Sequence, residues 1–304
     1  MPFTCKIISE RTPQGPREAV QVTGYDGRLT DLFVPEEIDA RPVRSIAGHA
    51  FEHRKELRSV FLPENLTTLR SFAFYGCSAL TSMELYNTTD DYYDGVIRQC
   101  PSLRCVTVHC VRPDNYMIVR EMLRDMDGTL QFRLMTAEGE IRLTFPEYVN
   151  EAKEDTMARA IHFSIEGAGM AYRECVGRRT LDLAGYDRLL GRLTDYDFDA
   201  AAQIALGRLS CPAGLSKKSE AGYEEFLRSG DGRALAWVIR SADSPERREN
   251  LSLLTSRQLI GRAALEEGLD LASSLGETEI CSVLMEYRRQ VFASDAPETF
   301  SLDW

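Results

Sequence analysis

Apolar positions recur in the first 110 residues of the chain at a fixed interval of 23 residues. At this shift Leu57 aligns with Leu80 and Leu103, and the alternating apolar positions after each leucine align as well. The first copy reads Leu57-x-x-Val60-x-Leu62. Alternation over a few positions predicts a short strand with one buried face. Because one such strand cannot bury that face alone, its recurrence predicts units stacked side by side.

The period and the motif indicate a leucine-rich repeat. Units of about 20 to 29 residues with the pattern L-x-x-L-x-L each add one strand to a curved parallel sheet. Ala50-Phe51 and Ala73-Phe74 recur at the same interval, and we expect them to fill the coil from the opposite side. The predicted fold class is α+β, with a short solenoid over residues 33–110 followed by an all-α array.

Three stretches of this region carry a resemblance to a known family. P-V-R-S-I-A-G-H-A-F, L-R-S-V-F-L-P-E-N-L and A-F-Y-G-C-S-A-L-T-S-M-E-L resemble the BspA-like leucine-rich-repeat family of bacteria. The resemblance is specific over residues 33–85 and fades by residue 110. Members of that family are often surface adhesins or interaction modules, so the resemblance implies binding rather than catalysis.

The segments that flank the repeats predict caps, because an open solenoid exposes apolar surface at each end. Two alternating stretches within residues 1–32 predict a capping hairpin. Residues 111–146 predict a connector, made of a helix and a second hairpin that turns at Ala137-Glu138-Gly139. The loop at residues 87–95 lacks the usual Pro-Leu part of a unit. We therefore expect the regular array to end there.

From residue 147 to residue 304 the pattern becomes helical. DFDAAAQIALGRLSCP predicts a helix that stops before Pro212, and SEAGYEEFLRSGDG predicts one that ends at Gly230. Thr255, with a glutamine three residues later, predicts the start of another helix.

The last predicted helix places four residues on one face: Ile280, Leu284, Tyr287 and Val291. Residues 272–285 resemble the helix pair of an ankyrin-type repeat. The sequence therefore predicts an antiparallel helical array in this half of the chain.

Charge and hydropathy narrow the classes of partner. The chain has 36 basic and 47 acidic residues, a formal charge of -11, which repels nucleic-acid phosphates and anionic lipid. No stretch approaches the roughly 18 apolar residues of a membrane span, and the first residues lack the apolar core of a signal peptide. We expect a cytoplasmic protein that binds neither nucleic acid nor membrane, or a surface protein if a signal has been removed.

The cysteines and histidines give no sign of a metal or cofactor. Eight cysteines are scattered without a CxxC pair, which favours reduced, mostly buried thiols over a disulfide scaffold. Cys100, Cys105, Cys110 and His109 do not have the spacing of structural zinc ligands. We therefore expect neither a metal nor a cofactor.

The strand alternation also identifies an outward sheet face, where such solenoids usually bind. With Val60 and Leu62 inward, Ser59 and Phe61 point outward. A further, degenerate copy reads LFVP at residues 32–35 and is separated from the next copy by five extra residues. With this copy the repeat extends these positions into two rows, which are Asp31, Ser59, Ser82 and Cys105, and Phe33, Phe61, Glu84 and Thr107. Adjacent aromatic rings on an exposed sheet would suit a partner's apolar anchor. The alternative is that the C-terminal helices pack over both rings.

A second candidate is the stretch IEGAGMAYREC. Gly167 and Gly169 are two glycines of a dinucleotide loop, but the third glycine position is Tyr172. We interpret the stretch as a turn between a strand and a helix, after which Tyr172 and Arg173 are candidates to line a pocket. Carboxylates near residue 150 fit a charged helix start.

Three functions stay open at this point. The first is a bacterial protein–protein interaction module or scaffold without catalysis. The second is an enzyme of unknown class with its site in residues 145–190 and the repeats as a docking arm. The third is a surface adhesin. G-x-S-x-G, P-loop and H-E-x-x-H motifs do not occur, so no catalytic residue is assigned.

Overall fold

The computed structural model describes residues 2–12, 15–155, 160–193, 197–230 and 232–292, with the backbone alone for residues 12, 150–155 and 160–165. The chain forms two compact units. The first is Met1–Ala200 with Cys211–Leu215, and the second is Ala201–Ser210 with Ser216–Trp304. This division lies later in the chain than the boundary that we expected at residue 147.

Strands make up most of the first unit and helices the second. The strands are β1 (Phe3–Thr12), β2 (Gly15–Tyr25), β3 (Asp31–Phe33), β4 (Glu37–Ile38), β5 (Arg41–Ile46), β6 (Ser59–Phe61), β7 (Thr68–Leu69), β8 (Ser82–Tyr86), β9 (Asp91–Tyr92), β10 (Cys105–His109), β11 (Leu130–Thr136), β12 (Gly139–Phe145), β13 (Val149–Asp155) and β14 (Ala160–Glu166). The helices are α1 (Met117–Asp125), α2 (Gly169–Glu174), α3 (Leu183–Arg188), a 3-10 turn (Leu189–Arg192), α4 (Phe198–Ser210), α5 (Lys217–Ser229), α6 (Arg233–Arg240), α7 (Pro245–Ser256), α8 (Arg262–Ser274) and α9 (Thr278–Phe292).

The main sheet contains the strands of the 23-residue motif. Its order is β12-β11-β10-β8-β6-β3, parallel from β3 to β11 and antiparallel at β12. Ser59 pairs with Ser82, and Ser82 pairs with Cys105. Residues 23 apart in the sequence therefore lie side by side on neighbouring strands, which confirms the predicted solenoid.

A second sheet forms the opposite side of the coil, in the order β1-β2-β5-β7-β9. Leu69 pairs with Ile46 on one side and with Tyr92 on the other. Strand β9 lies in the loop that we expected to end the array, so that expectation is wrong. The loop pairs through its backbone, with the Asp91 amide donating to the Thr67 carbonyl over 3.0 Å, and Tyr92 takes the place of the leucine.

The interior of the coil is filled by the predicted aromatic positions. Phe51 and Phe74 are buried, with ring centroids 5.2 Å apart and planes nearly parallel. The buried thiols of Cys77 and Cys100 donate to the carbonyls of Phe51 and Phe74, over 3.1 and 3.2 Å. These cysteines are free, as predicted.

The predicted flanking elements are present at both ends of the repeats. Hairpin β1–β2 joins the second sheet through the parallel pair β2–β5. Beyond the repeats, α1 ends in Asp125, whose side chain is 4% exposed. Its carboxylate accepts from the Tyr92 hydroxyl at 2.7 Å and from the backbone amides of Gly95 and Ile97. This carboxylate ties the helix to the last turn of the coil.

Residues 149–166 differ from expectation. A helix start near residue 150 is wrong, because β13 and β14 pair as antiparallel strands. The stretch AIHFSIE alternates apolar and polar residues at a period of two, which suits a strand. The preceding carboxylates suggested a helix terminus only because acidic residues also favour that position.

The second unit contains most of α4 together with helices α5 to α9. Helix α5 begins after Ser216, whose hydroxyl accepts from the Ser219 amide, and ends at Gly230 as predicted. The predicted helix start at Thr255 is wrong, because Thr255 lies in the last turn of α7. That helix begins at Pro245 with Ser244 as its N-cap. Proline at the first helical position also signals the start of a helix. The prediction did not use this signal and therefore missed the start at Pro245.

The last helix confirms its predicted buried face. Ile280, Leu284 and Tyr287 are buried, and Val291 is half-buried. Within the described ranges, no helix is both long and apolar enough to cross a bilayer.

Candidate binding face and cavity

The outward face of the main sheet brings the predicted rows together. Strand pairing sets Asp31 beside Ser59, and Phe33 beside Phe61. The register of β6, β8 and β10 then continues each row across the sheet through Ser82, Glu84, Cys105 and Thr107. All of these side chains are exposed or half-buried. The face is therefore accessible along both rows.

Aromatic rings extend across this face further than the sequence indicated. Ring centroids are 6.1 Å apart between Phe33 and Phe61, 6.4 Å between Phe61 and Tyr86, and 4.7 Å between Tyr86 and His109. We call these four residues the aromatic row. Tyr86 and His109 end their strands, one alternation step beyond Glu84 and Thr107. Continuing the alternation by two residues on β8 and β10 would have identified them.

Carboxylates lie among these rings. Asp31 accepts from the Ser59 hydroxyl at 2.6 Å, and this bond with that from Thr30 lowers its pKa. The Glu84 carboxylate lies 2.6 Å from Nε2 of His109. Burial raises the pKa of Tyr86, and the charges of Glu64, Glu36 and Glu84 raise it further.

The second candidate site is a cavity of about 550 Å³ in the first unit. Helix α1 contributes Arg120 and Arg124, and α2 contributes Met170, Arg173 and Glu174. Of the four pocket residues that we predicted, Arg173 alone is among its lining residues. Arg120 and Arg124 were not predicted, because only the folded chain brings α1 against α2.

The two glycines explain how α2 reaches this position. Gly167 follows β14 with φ +89°, and Gly169 is the first residue of α2. A Cβ at Gly169 would lie 2.2 Å from the carbonyl oxygen of Pro146. The glycines therefore permit close packing against the segment after β12, which agrees with the predicted strand–helix turn.

Tyr172 and Arg173 have different roles. Tyr172 is fully buried against Tyr186, with ring centroids 4.8 Å apart, and burial raises its pKa. Arg173 is 8% exposed, and burial lowers the pKa of its guanidinium to about 10. That group therefore remains charged at neutral pH.

Backbone carbonyls surround the guanidinium of Arg173. It donates to Pro146, to Gly169 at 3.1 Å and to Gly128 at 2.8 Å. It also donates to the carbonyls of Met126 and Asp127, at 3.2 and 3.1 Å. The ring of Tyr148 lies 4.8 Å from the guanidinium carbon. Arg173 thus joins the end of α1, the segment after β12 and α2.

Comparison with known proteins assigns the solenoid to a family. Residues 29–115 match the BspA type leucine rich repeat region in six copies. These residues form a BspA-type leucine-rich-repeat region. No curated protein matches the chain.

Two solved structures are similar to parts of the chain. A leucine-rich repeat protein from Bacteroides ovatus ATCC 8483 is 13% identical over 36% of this chain and 48% of its own, with a TM-score of 0.22. The leucine-rich repeat protein of T. pallidum is 20% identical over 33% of this chain and 68% of its own, also with a TM-score of 0.22. The chain thus spans about half the length of the Bacteroides protein.

The leucine-rich-repeat sheet ends in an ion cluster at the antiparallel pair β11–β12. Oε1 of Glu140 lies 2.7 Å from Nε of Arg133 and 3.1 Å from Nε of Arg142. Arg142 is 4% exposed, so the cluster is partly shielded from water. The hydrogen bond from Arg133 is the main cause that lowers the pKa of Glu140 to about 2, with Arg142 adding to it.

This pKa predicts a pH-dependent contribution to stability. Because the folded-state pKa of Glu140 lies below its ordinary value, the contribution is present above about pH 4.5 and is lost as pH falls toward 2. Replacing Glu140 by glutamine should cost about 1–2 kcal/mol near neutral pH, after allowance for its partial exposure. Urea unfolding at several pH values should show this difference shrinking below about pH 4.

Glu138 provides the matched control, since it lies exposed on the turn of the same hairpin. Glu138→Gln should change the free energy of unfolding by less than about 0.5 kcal/mol at every pH. A Glu140→Gln difference that stays constant down to pH 3 would contradict the assignment.

Proposed function

We propose that the protein is an interaction module that binds a protein partner through the aromatic row. Phe33 carries the proposal, because its ring is 68% exposed on the first strand of a regular sheet face. Phe61 lies beside it, with 6.1 Å between centroids, so that a partner could cover both rings at once. Removing such apolar surface from water favours association. The leucine-rich-repeat region supports an interaction role in general.

The charges around the row favour one kind of partner. Besides burial, the negative charges of Glu64, Glu36 and Glu84 all raise the pKa of Tyr86. Asp31 adds a further carboxylate on the strand of Phe33. Glu36 is held in place by accepting from the backbone amides of Glu64 and Asn65, at 3.0 and 3.2 Å. We therefore propose a partner segment that combines apolar side chains with Lys or Arg, since complementary charge directs association.

The proposed module acts without catalysis or a cofactor. Leucine-rich repeats are typically binding folds, in which affinity comes from a few buried anchors and shape complementarity. The net charge of -11 supports a protein partner over nucleic acid or an anionic membrane. A cytoplasmic location is part of the same proposal.

A selection from a random peptide display library on the full chain tests this function. We expect enriched peptides to carry aromatic or aliphatic residues together with Lys or Arg. Their affinity, measured by fluorescence anisotropy, should fall as salt increases. The variant Phe33→Ala/Phe61→Ala should bind them roughly tenfold or more weakly, as loss of two central anchors predicts.

Ile7→Ala is the matched control, because Ile7 is 55% exposed on β1 and outside the row. This variant should bind the selected peptides as tightly as the wild type. Enrichment of acidic peptides, or equal binding by the Phe33→Ala/Phe61→Ala variant after circular dichroism has confirmed its fold, would refute the proposal.

A further inference from the structure

The cavity between α1 and α2 has an imbalance of charge. Three of its lining side chains are arginines and one is a glutamate. The half-buried Arg120 makes no side-chain hydrogen bond or ion pair in the part of the chain that the structure describes. Arg124 is exposed and pairs with Glu121 at 3.1 Å, a contact that water screens.

Arg173 adds a positive charge that forms no ion pair among the described residues, and the carboxylate of Asp127 acts on it only through space. Its described partners are five backbone carbonyls, which solvate the guanidinium but leave its net charge unchanged. Its Nε is buried and has no hydrogen-bond partner among the described residues. Burial of this charge lengthens the range of its field, because the surrounding medium polarises less than water. An anion in the cavity would therefore be attracted by Arg120 and Arg124 on α1 and by Arg173 on α2.

The remaining walls are apolar. Leu123 and Met170 line the cavity beside the arginines, and the ring of Tyr148 lies over Arg173. A volume of about 550 Å³ suits a small organic molecule. The site therefore combines basic groups with an apolar surface. This combination suits a ligand that has a negatively charged group at one end and an apolar part at the other.

We propose that this cavity binds a small organic anion. Its carboxylate or phosphate group contacts Arg120 and Arg124, and its apolar part lies against Leu123 and Met170. Arg173 supplies a buried positive charge without giving up its carbonyl bonds. The site is distinct from the aromatic row, so the proposal does not rest on the proposed protein partner.

Glu174 fixes the orientation of the ligand. Its exposed carboxylate lines the same cavity and repels a second negative charge. The anionic group therefore lies on the α1 side, toward Arg120. It follows that removing the charge of Glu174 strengthens binding, whereas removing that of Arg120 weakens it.

Titration calorimetry of the full chain with four probes tests the site. Phenyl phosphate and benzoate carry both a charge and a ring, inorganic phosphate lacks the ring, and benzyl alcohol lacks the charge. We expect saturable binding of phenyl phosphate or benzoate, and the tighter of the two distinguishes a phosphate site from a carboxylate site. Inorganic phosphate and benzyl alcohol should each bind more weakly.

Variants then locate the binding. Arg120→Gln should weaken binding of the tighter probe roughly tenfold, as loss of one charge-assisted contact predicts. Glu174→Gln should strengthen it. Arg58→Gln is the matched control, because Arg58 is an exposed arginine of the same unit outside the cavity. That variant should bind as the wild type does.

Three results would overturn the proposal. The first is the absence of saturable binding by both ring-bearing anions at millimolar concentration. The second is equal affinity of the tighter probe for Arg120→Gln and for the wild type. The third is equal affinity of the wild type for benzyl alcohol and for the tighter probe, which would leave only non-specific apolar contact. Peptide binding at the aromatic row is measured in a separate experiment. A negative result for the cavity therefore does not bear on the proposed protein partner, and the reverse also holds.

Discussion

Arg173→Met should destabilise the first unit by about 3 kcal/mol, the largest loss that we expect from a polar substitution. Methionine fills a similar volume but donates no hydrogen bond. The carbonyls of Met126, Pro146 and Gly169 belong to buried residues, so their lost bonds are poorly replaced by water. Each unsatisfied buried group costs about 1–3 kcal/mol, and the favourable removal of a buried charge offsets part of this cost.

Urea unfolding followed by circular dichroism measures this loss, and two variants separate its causes. Arg173→Lys keeps the charge but has fewer donors in a different geometry, so it should recover only part of the stability. Arg120→Met removes an arginine of the same cavity that has no partner in the described chain, and it should cost less than about 0.5 kcal/mol. If Arg173→Met were as stable as the wild type, the carbonyl bonds would not hold these segments together.

The repeats were predictable from sequence for a simple physical reason. Stacked units repeat the same local environment, so the shift that aligns Leu57 with Leu80 is also the register that pairs Ser59 with Ser82. Burial of Phe51 and Phe74 followed from the same shift. Periodic structures carry their tertiary contacts in their local pattern.

The rest of the first unit was harder to predict because its contacts join distant segments. Arg173 contacts carbonyls some 45 residues earlier in the chain, at Gly128, and nothing near position 173 indicates them. The packing of α1 against α2 could not be predicted from the sequence for the same reason, and neither could the basic cavity between them. The strand at Val149–Asp155 was misassigned because its acidic residues fit two kinds of element.

Phe74→Ala should lower the free energy of unfolding by about 3–5 kcal/mol, since it deletes a fully buried ring and leaves a cavity in the coil. Phe33→Ala removes the same atoms from a ring that is 68% exposed, and it should cost less than about 1 kcal/mol. Equal losses in the two variants, measured by urea unfolding, would contradict the burial of Phe74.

The solenoid also predicts how such losses combine. Each unit contacts only its neighbours, so energetic coupling should extend over one unit and no further. Phe51→Ala and Phe74→Ala delete two stacked rings, and their shared cavity should make the double variant differ from the sum by about 1 kcal/mol or more. Phe51→Ala and Leu103→Ala lie two units apart, and their losses should add within about 0.5 kcal/mol. Strong coupling in the second pair would contradict this expectation. It would mean that a cavity in one unit changes the packing of units that it does not touch.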